Sequence, residues 1–221
     1  MTVAGMFLAL LAPWATASST GDHQPARFST VQPTDSYAGK TYSQWSAAWW
    51  QWAASSTPSP VADTTGADCA VNQDGPTWFL AGNTGGLTSR RCTIPSGKAI
   101  LIPIIAGECS TVENPGQDLR LCAAGYMDAV TETGVSVDGT PVALGRPESG
   151  RFRFATAPFP LTFAPGNAFG VNPGRTTSVA DGFWVLVKPL REGKHMIDFN
   201  GSAPALGFSL TVHYDLTVTR R

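Results

Sequence analysis

Over residues 206–218 the chain alternates almost without a break: Leu206, Phe208, Leu210, Val212, Tyr214, Leu216 and Val218 are apolar, while Ser209, Thr211, His213, Asp215 and Thr217 are polar. Successive side chains of a strand point to opposite faces, so the pattern predicts a strand with one face on a core and the other in water. Residues 98–105, "KAILIPII", form a nearly continuous apolar run instead, the mark of a strand buried on both faces. Shorter strands are predicted at 77–81, in "RFRFA" (151–155), in "PFPLTFA" (158–164) and in "GFWVLVK" (182–188), and Asp138-Gly139 within "VSVDGTPV" signals a two-residue hairpin.

Two segments carry helical periodicity. Thr41 and Gln44 make a T-x-x-Q capping box, and the chain then runs free of Gly and Pro until Pro58, which predicts a helix over 42–54. Leu119, Cys122, Ala123, Tyr126, Met127 and Val130 follow the i, i+3, i+4, i+7 rule ahead of Gly134, which predicts a second over 117–133. The expected fold is mainly β: an antiparallel β-sandwich of jelly-roll or immunoglobulin-like type with two helices packed on it.

The first helix holds four tryptophans. At 100° per residue Trp45, Trp49 and Trp52 fall within roughly 60° of one another, and Trp50 points roughly 100° away. The three-tryptophan stripe reads as core, whereas Trp50, beside Gln51, has a claim to exposure.

Composition narrows the partners. Charged residues are 14% of the chain and nearly cancel to a net charge of -1, which leaves no electrostatic footprint for nucleic acid or an anionic membrane. The apolar run over 3–14 followed by Ala15-Thr16-Ala17 reads as a secretory signal peptide, residues 1–17, and is too short to span a bilayer. Residues 18–38 are polar, Pro-containing and aperiodic, a mobile leader ahead of one domain over 39–221. No later run is long enough for a transmembrane segment. Behind an export signal, the four cysteines predict two disulfides. Of three possible pairings, Cys69 with Cys92 and Cys109 with Cys122 close the short local loops.

The stretches "YAGKTYSQWSAAWWQW", "GPTWFLAG", "CTIPSGKAILIPII" and "DGFWVLVKPLREGKHMIDFNG" together resemble a family of exported bacterial and archaeal proteins with no assigned activity, over most of the chain that follows the signal. The resemblance implies export and nothing about a reaction. Relatives often carry Glu where this chain has Gln44, so Gln44 receives no catalytic role.

Candidate chemistry is sparse. The nearest approach to G-x-S-x-G is Gly134-Val135-Ser136-Val137-Asp138, which lacks the final Gly and falls in the expected hairpin. His23, His195 and His213 are too few and too scattered for a histidine metal site, and the cysteines lack zinc spacing. Asp63, Asp68 and Asp74 sit in a Gly-containing loop that offers Ca²⁺ a set of oxygens, without EF-hand spacing. Two readings remain. One is a secreted binding module whose aromatics, with Trp50, Gln51, Trp78 and Trp184 as candidate contacts, stack on an extracellular polysaccharide, another polymer or a small ligand. The alternative is a secreted hydrolase or lyase using Glu108 and Asp68 as acid and base with His195 assisting; against it, His195 reads as a core-edge residue bonded to backbone.

Overall fold

The computed structural model describes residues 28–220. The signal peptide expected over 1–17, His23 and the first part of the leader lie outside the described residues. In chain order the elements are α1 (Tyr42–Ser55), β1 (Thr77–Phe79), β2 (Gly86–Pro95), β3 (Ala99–Ser110), α2 (Leu119–Asp128), β4 (Glu132–Val137), β5 (Thr140–Pro141), β6 (Arg153–Ala155), β7 (Phe159–Phe163), β8 (Gly174–Val187), β9 (Gly193–Ala203) and β10 (Phe208–Thr219).

They form the expected sandwich of two sheets with two helices. Sheet 1 runs β1-β3-β8-β6, with β7 also paired to β8, and sheet 2 runs β2-β10-β9-β4-β5. The expectation of purely antiparallel sheets needs one correction. Each sheet is mixed, because β1 lies parallel to β3 and β2 lies parallel to β10. The physical reason is connectivity: the β2 edge is reached from the far end of the chain, so no hairpin dictates its direction.

The two apolar patterns find their causes in layering. β10 alternates as read from Leu210 on, with Leu210, Val212, Tyr214, Leu216 and Val218 facing the core between the sheets, whereas Leu206 lies before the strand and is exposed. β3 and β8 are buried on both faces because sheet 2 covers one side of sheet 1 and α1 covers the other. Along β3, Ile100 and Ile102 enter the inter-sheet core while Ala99 and Leu101 meet the tryptophans of α1. Helix α1 starts as predicted, with the Thr41 hydroxyl accepting from Gln44 N–H and the Gln44 side chain accepting from Thr41 N–H. Gln44 therefore has a structural use as half of the capping box.

Helix α2 is shorter than the expected 117–133. Asp118 caps it by accepting from the N–H groups of Arg120 and Leu121, and it ends at Asp128 because Glu132–Val137 is claimed by pairing with β9. Asp138 and Gly139 take positive φ values of 51° and 74°, the conformation that the two-residue turn between β4 and β5 requires. The leader expected to be mobile over 18–38 is, in its described part, docked on β8: Val31 N–H donates to Leu186 O at 2.8 Å, and Lys188 N–H to Ser29 O at 2.8 Å. Tyr42 completes that attachment by donating its hydroxyl to Val31 O at 2.9 Å and accepting from Leu186 N–H at 3.0 Å. Both disulfides pair as read, Cys69 with Cys92 and Cys109 with Cys122. They point to an oxidising compartment. Among the described residues no helix is long and apolar enough to cross a membrane.

Candidate functional site

The tryptophans expected to form a ligand platform are core. Trp50 is 5% exposed, Trp78 4% and Trp184 0%. Trp50 is the correction that matters most, because the helical wheel turns it away from the other three. It is buried because the chain after β7 folds over the outer side of α1 and lays Phe169 against it, ring centroids 5.3 Å apart. Asn167 builds that cover: its amide donates to Ala164 O and Val171 O, and its carbonyl accepts from the N–H groups of Phe169 and Val171. Trp184 packs edge-on to Trp49 at 5.4 Å and depends on Gly182, where a Cβ would lie 2.6 Å from the Trp184 indole nitrogen. Trp78 lies between the sheets. Gln51 is exposed, but its amide donates to Pro160 O at 3.0 Å and so ties α1 to β7. We expect acrylamide to quench only weakly the tryptophan emission of a folded chain that lacks residues 1–17. A large accessible fraction that vanishes in Trp50→Phe would contradict this packing.

Glu108, His195 and Asp68 have separate surroundings. Glu108 stands near the end of β3, where Ser178 of β8 donates its hydroxyl to Oε2. Burial, followed by the hydrogen bond and charge of Glu113, pushes the Glu108 carboxyl up to about 8, against the opposing bond from Ser178. Glu113 thus favours the protonated form of Glu108. Ser110 donates to Glu113, and the neighbouring Cys109–Cys122 disulfide ties this strand end to α2.

His195 sits at the rim of the core. Its Nδ1 meets Asp138 Oδ2 at 2.8 Å and its Nε2 meets Arg191 O at 2.9 Å, so neither ring nitrogen is left for a substrate. Asp68 belongs to a loop organised by Asp63, whose carboxylate accepts from Thr65 N–H, Thr65 Oγ1, Gly66 N–H and Asp68 N–H. Burial works against ionisation of Asp63, and these donors outweigh it and hold the carboxyl below the usual range. With both oxygens so engaged, Asp63 is the loop's organiser. Asp74 is exposed. Among the described residues no group of three or more His, Cys, Asp or Glu side chains is placed to hold a metal ion.

Two surfaces that the sequence reading did not single out have the shape of binding sites. The first is a groove of about 280 Å³ between α2 and the β9–β10 turn, lined by Ile105, Gly107, Tyr126, Met127, Leu206 and Phe208. Tyr126 and Leu206 are 41% and 49% exposed at its mouth. Gly107 is what seats the tyrosine, since a Cβ there would stand 2.9 Å from the Tyr126 ring. The second is a polar cleft of about 300 Å³ on the outer face of sheet 2, lined by Thr65, Ser89, Arg91, His213 and Asp215 together with Arg90. His213 was legible as an outward position of β10, but the carboxylate it meets comes from β9, and only register brings the two together.

No protein-family model matches this chain, and no curated protein matches it in sequence. A solved structure of PbICP-C in complex with falcipain-2 is similar over 66% of this chain and 100% of that one, at 14% identity and a TM-score of 0.27, too low a similarity to bear on function.

Proposed function

We propose that the protein is a secreted binding module that holds a segment of an extracellular polymer, a polysaccharide, in the groove between α2 and the β9–β10 turn. The observation that carries this reading is Tyr126. It is a large ring, 41% exposed, set over Gly107 in an apolar groove that Phe208 also lines. Sugar rings present an apolar C–H face and a polar edge, and an exposed tyrosine offers the matching face and a hydroxyl. Recognition through aromatics is thus retained from the sequence reading, but it moves from the buried tryptophans to the α2 surface. Low charge and disulfides agree with work outside the cell.

Affinity electrophoresis against a panel of soluble neutral and acidic polysaccharides tests the proposal. At least one polymer is expected to retard the wild-type chain, and Tyr126→Ala to weaken that binding about tenfold, the effect of losing about 1.4 kcal/mol of stacking. Retardation that is absent throughout the panel, or unchanged in Tyr126→Ala, refutes it. A second reading, a hydrolase or lyase, is favoured by the Glu108–Glu113 pair alone, since a carboxyl held protonated near neutral pH is suited to general acid catalysis. New reducing ends in the same polymers would support that reading.

A further inference from the structure

Across the outer face of sheet 2 the strand register sets four polar side chains in one row. Ser136 of β4 is paired with Asp198 of β9, Asp198 with His213 of β10, and His213 with Ser89 of β2. Neighbouring strands lie about 4.8 Å apart, so each side chain is within reach of the next. The contacts along the row run in one direction. Ser136 donates to Asp198 Oδ2 at 3.2 Å, and Asp198 Oδ1 meets His213 Nδ1 at 2.6 Å. The two nitrogens of an imidazole point away from each other, so Nε2 is directed away from Asp198. Among the described residues it has no hydrogen-bond partner, and the His213 side chain is 46% exposed. Ser89, the neighbour on the far side from Asp198, is exposed as well.

We propose that Ser89, His213 and Asp198 form a nucleophile, a general base and a positioning carboxylate that hydrolyse small carboxylic esters in the cleft over β2 and β10. The carboxylate fixes the ring with Nδ1–H toward Asp198, which leaves Nε2 as the proton acceptor. Ser136, the serine of the failed G-x-S-x-G match, has a different part, since it holds the second oxygen of Asp198. The edge position of β2 adds a donor for a developing oxyanion. Arg91 N–H points away from β10 to Thr65 O at 2.9 Å, and the alternation of a strand turns the N–H of Ser89, two residues before it, to the same side. Arg91 stands beside it, its side chain 89% exposed and its Nε 3.7 Å from Asp215 Oδ2. The cleft is open and about 300 Å³ in volume, which suits a small acyl group carried on a larger alcohol.

The reaction balances with water as the only co-reactant. Ser89 Oγ attacks the acyl carbon and its proton passes to His213 Nε2. The ester C–O bond then breaks and the departing oxygen takes that proton to leave as an alcohol. Water attacks the acyl-serine, giving a proton to Nε2, and the acid departs as that proton returns to Ser89 Oγ.

The test uses the mature chain, a fluorophosphonate probe and 4-nitrophenyl acetate. The expected result is a single adduct that peptide mapping places on Ser89, absent in Ser89→Ala. Ester turnover should fall about 10²-fold in His213→Gln, the usual size of a general-base contribution. Asp198→Asn should slow turnover and Asp198→Glu restore part of it, a recovery that a merely structural carboxylate would not show. All these positions face outward, so circular dichroism should report an unchanged fold. A folded wild-type chain that gains no adduct at Ser89, or gains it at a rate indifferent to His213, overturns the proposal. Probe labelling and polymer retardation are separate readouts, so this site can fail while the groove stands, and the reverse.

Discussion

Replacing Arg90 with Met is expected to destabilise the protein by about 4 kcal/mol, more than any surface change considered above. Arg90 lies on the inward face of β2 at 2% exposure, with no carboxylate of the described residues in hydrogen-bond contact. Carbonyl groups solvate its charge instead. Nε donates to Asp63 O at 2.6 Å, Nη1 to Ala81 O at 2.7 Å and Nη2 to Val61 O at 3.2 Å and Gly82 O at 2.9 Å. Nη1 also donates to the Tyr214 hydroxyl at 3.2 Å, which itself donates to Ala81 O and accepts from Ala81 N–H, both at 3.0 Å. One guanidinium thus fastens the segments around residues 61–63 and 81–82 to sheet 2. Methionine keeps the volume and strands buried acceptors, each of which costs about 1–3 kcal/mol when left unpaired. Lysine keeps the charge but offers three donors from one point rather than a planar fork, so Arg90→Lys should also lose more than about 2 kcal/mol. At about 2–4 °C per kcal/mol for a chain of this size, Arg90→Met should lower Tm by roughly 8–16 °C. Denaturant unfolding checks both variants. An Arg90→Lys protein within about 0.5 kcal/mol of wild type would mean that the carbonyl cluster does not hold the loops.

The second large effect is on pH. Raising the pH from about 4.5 to about 8 should destabilise the wild-type protein, and Glu108→Gln should remove most of that loss. The folded Glu108 carboxyl is raised to about 8 by burial first and by Glu113 second, so between its unfolded and folded values the native state binds more protons than the unfolded chain. The stabilisation is fully present below the unfolded value and is lost as pH rises through the folded one. Each unit of such a shift corresponds to about 1.4 kcal/mol, and a loss of about 3 kcal/mol across the window is the expected scale. Asp63 acts in the opposite sense, since its carboxyl is held low and its contribution is lost only as pH falls through that depressed value. The two windows therefore separate in a melting series. Glutamine keeps a donor for Glu113 and carries no charge, so at pH 8 Glu108→Gln should melt about 5 °C or more above wild type. A wild-type Tm that stays level from pH 5 to pH 8 would show that Glu108 titrates at an ordinary value.

Much of this architecture is written in local patterns. The alternation of β10, the capping box of α1 and the Asp138-Gly139 hairpin depend on residues within a few positions of one another, and backbone geometry translates them directly. The disulfide pairing was legible for the same reason, since both bridges close short loops. Helix α2 was read too long because Gly134 is the first local stop signal after its periodic residues, whereas Glu132 and Thr133 pair with Ser202 and Gly201 of β9. Strand β2 was missed because its inward positions are Thr88, Arg90, Cys92 and Ile94. An arginine at an inward position breaks the apolar alternation, and its partners lie as far as 29 residues back and 124 residues ahead.

The candidate sites divide along the same line. Glu108 was legible as a candidate acid, but its partner Glu113 becomes one only through the turn that brings the two carboxyls together. Trp50 was misread because a helical wheel describes one helix and not the loop of Phe169 that later covers it. His213 and Asp198 lie 15 residues apart on separate strands, and each reads as an ordinary outward polar residue. The sequence by itself determined the two helices and most of the strands, the compartment implied by the cysteines and the core character of three tryptophans, because periodicity and local loop closure act over short stretches of chain. Tertiary structure alone decided the mixed sheets, the burial of Trp50, the Arg90 cluster and the row from Ser136 to Ser89. Those depend on register between distant strands, where a shift of one residue would turn every side chain to the opposite face.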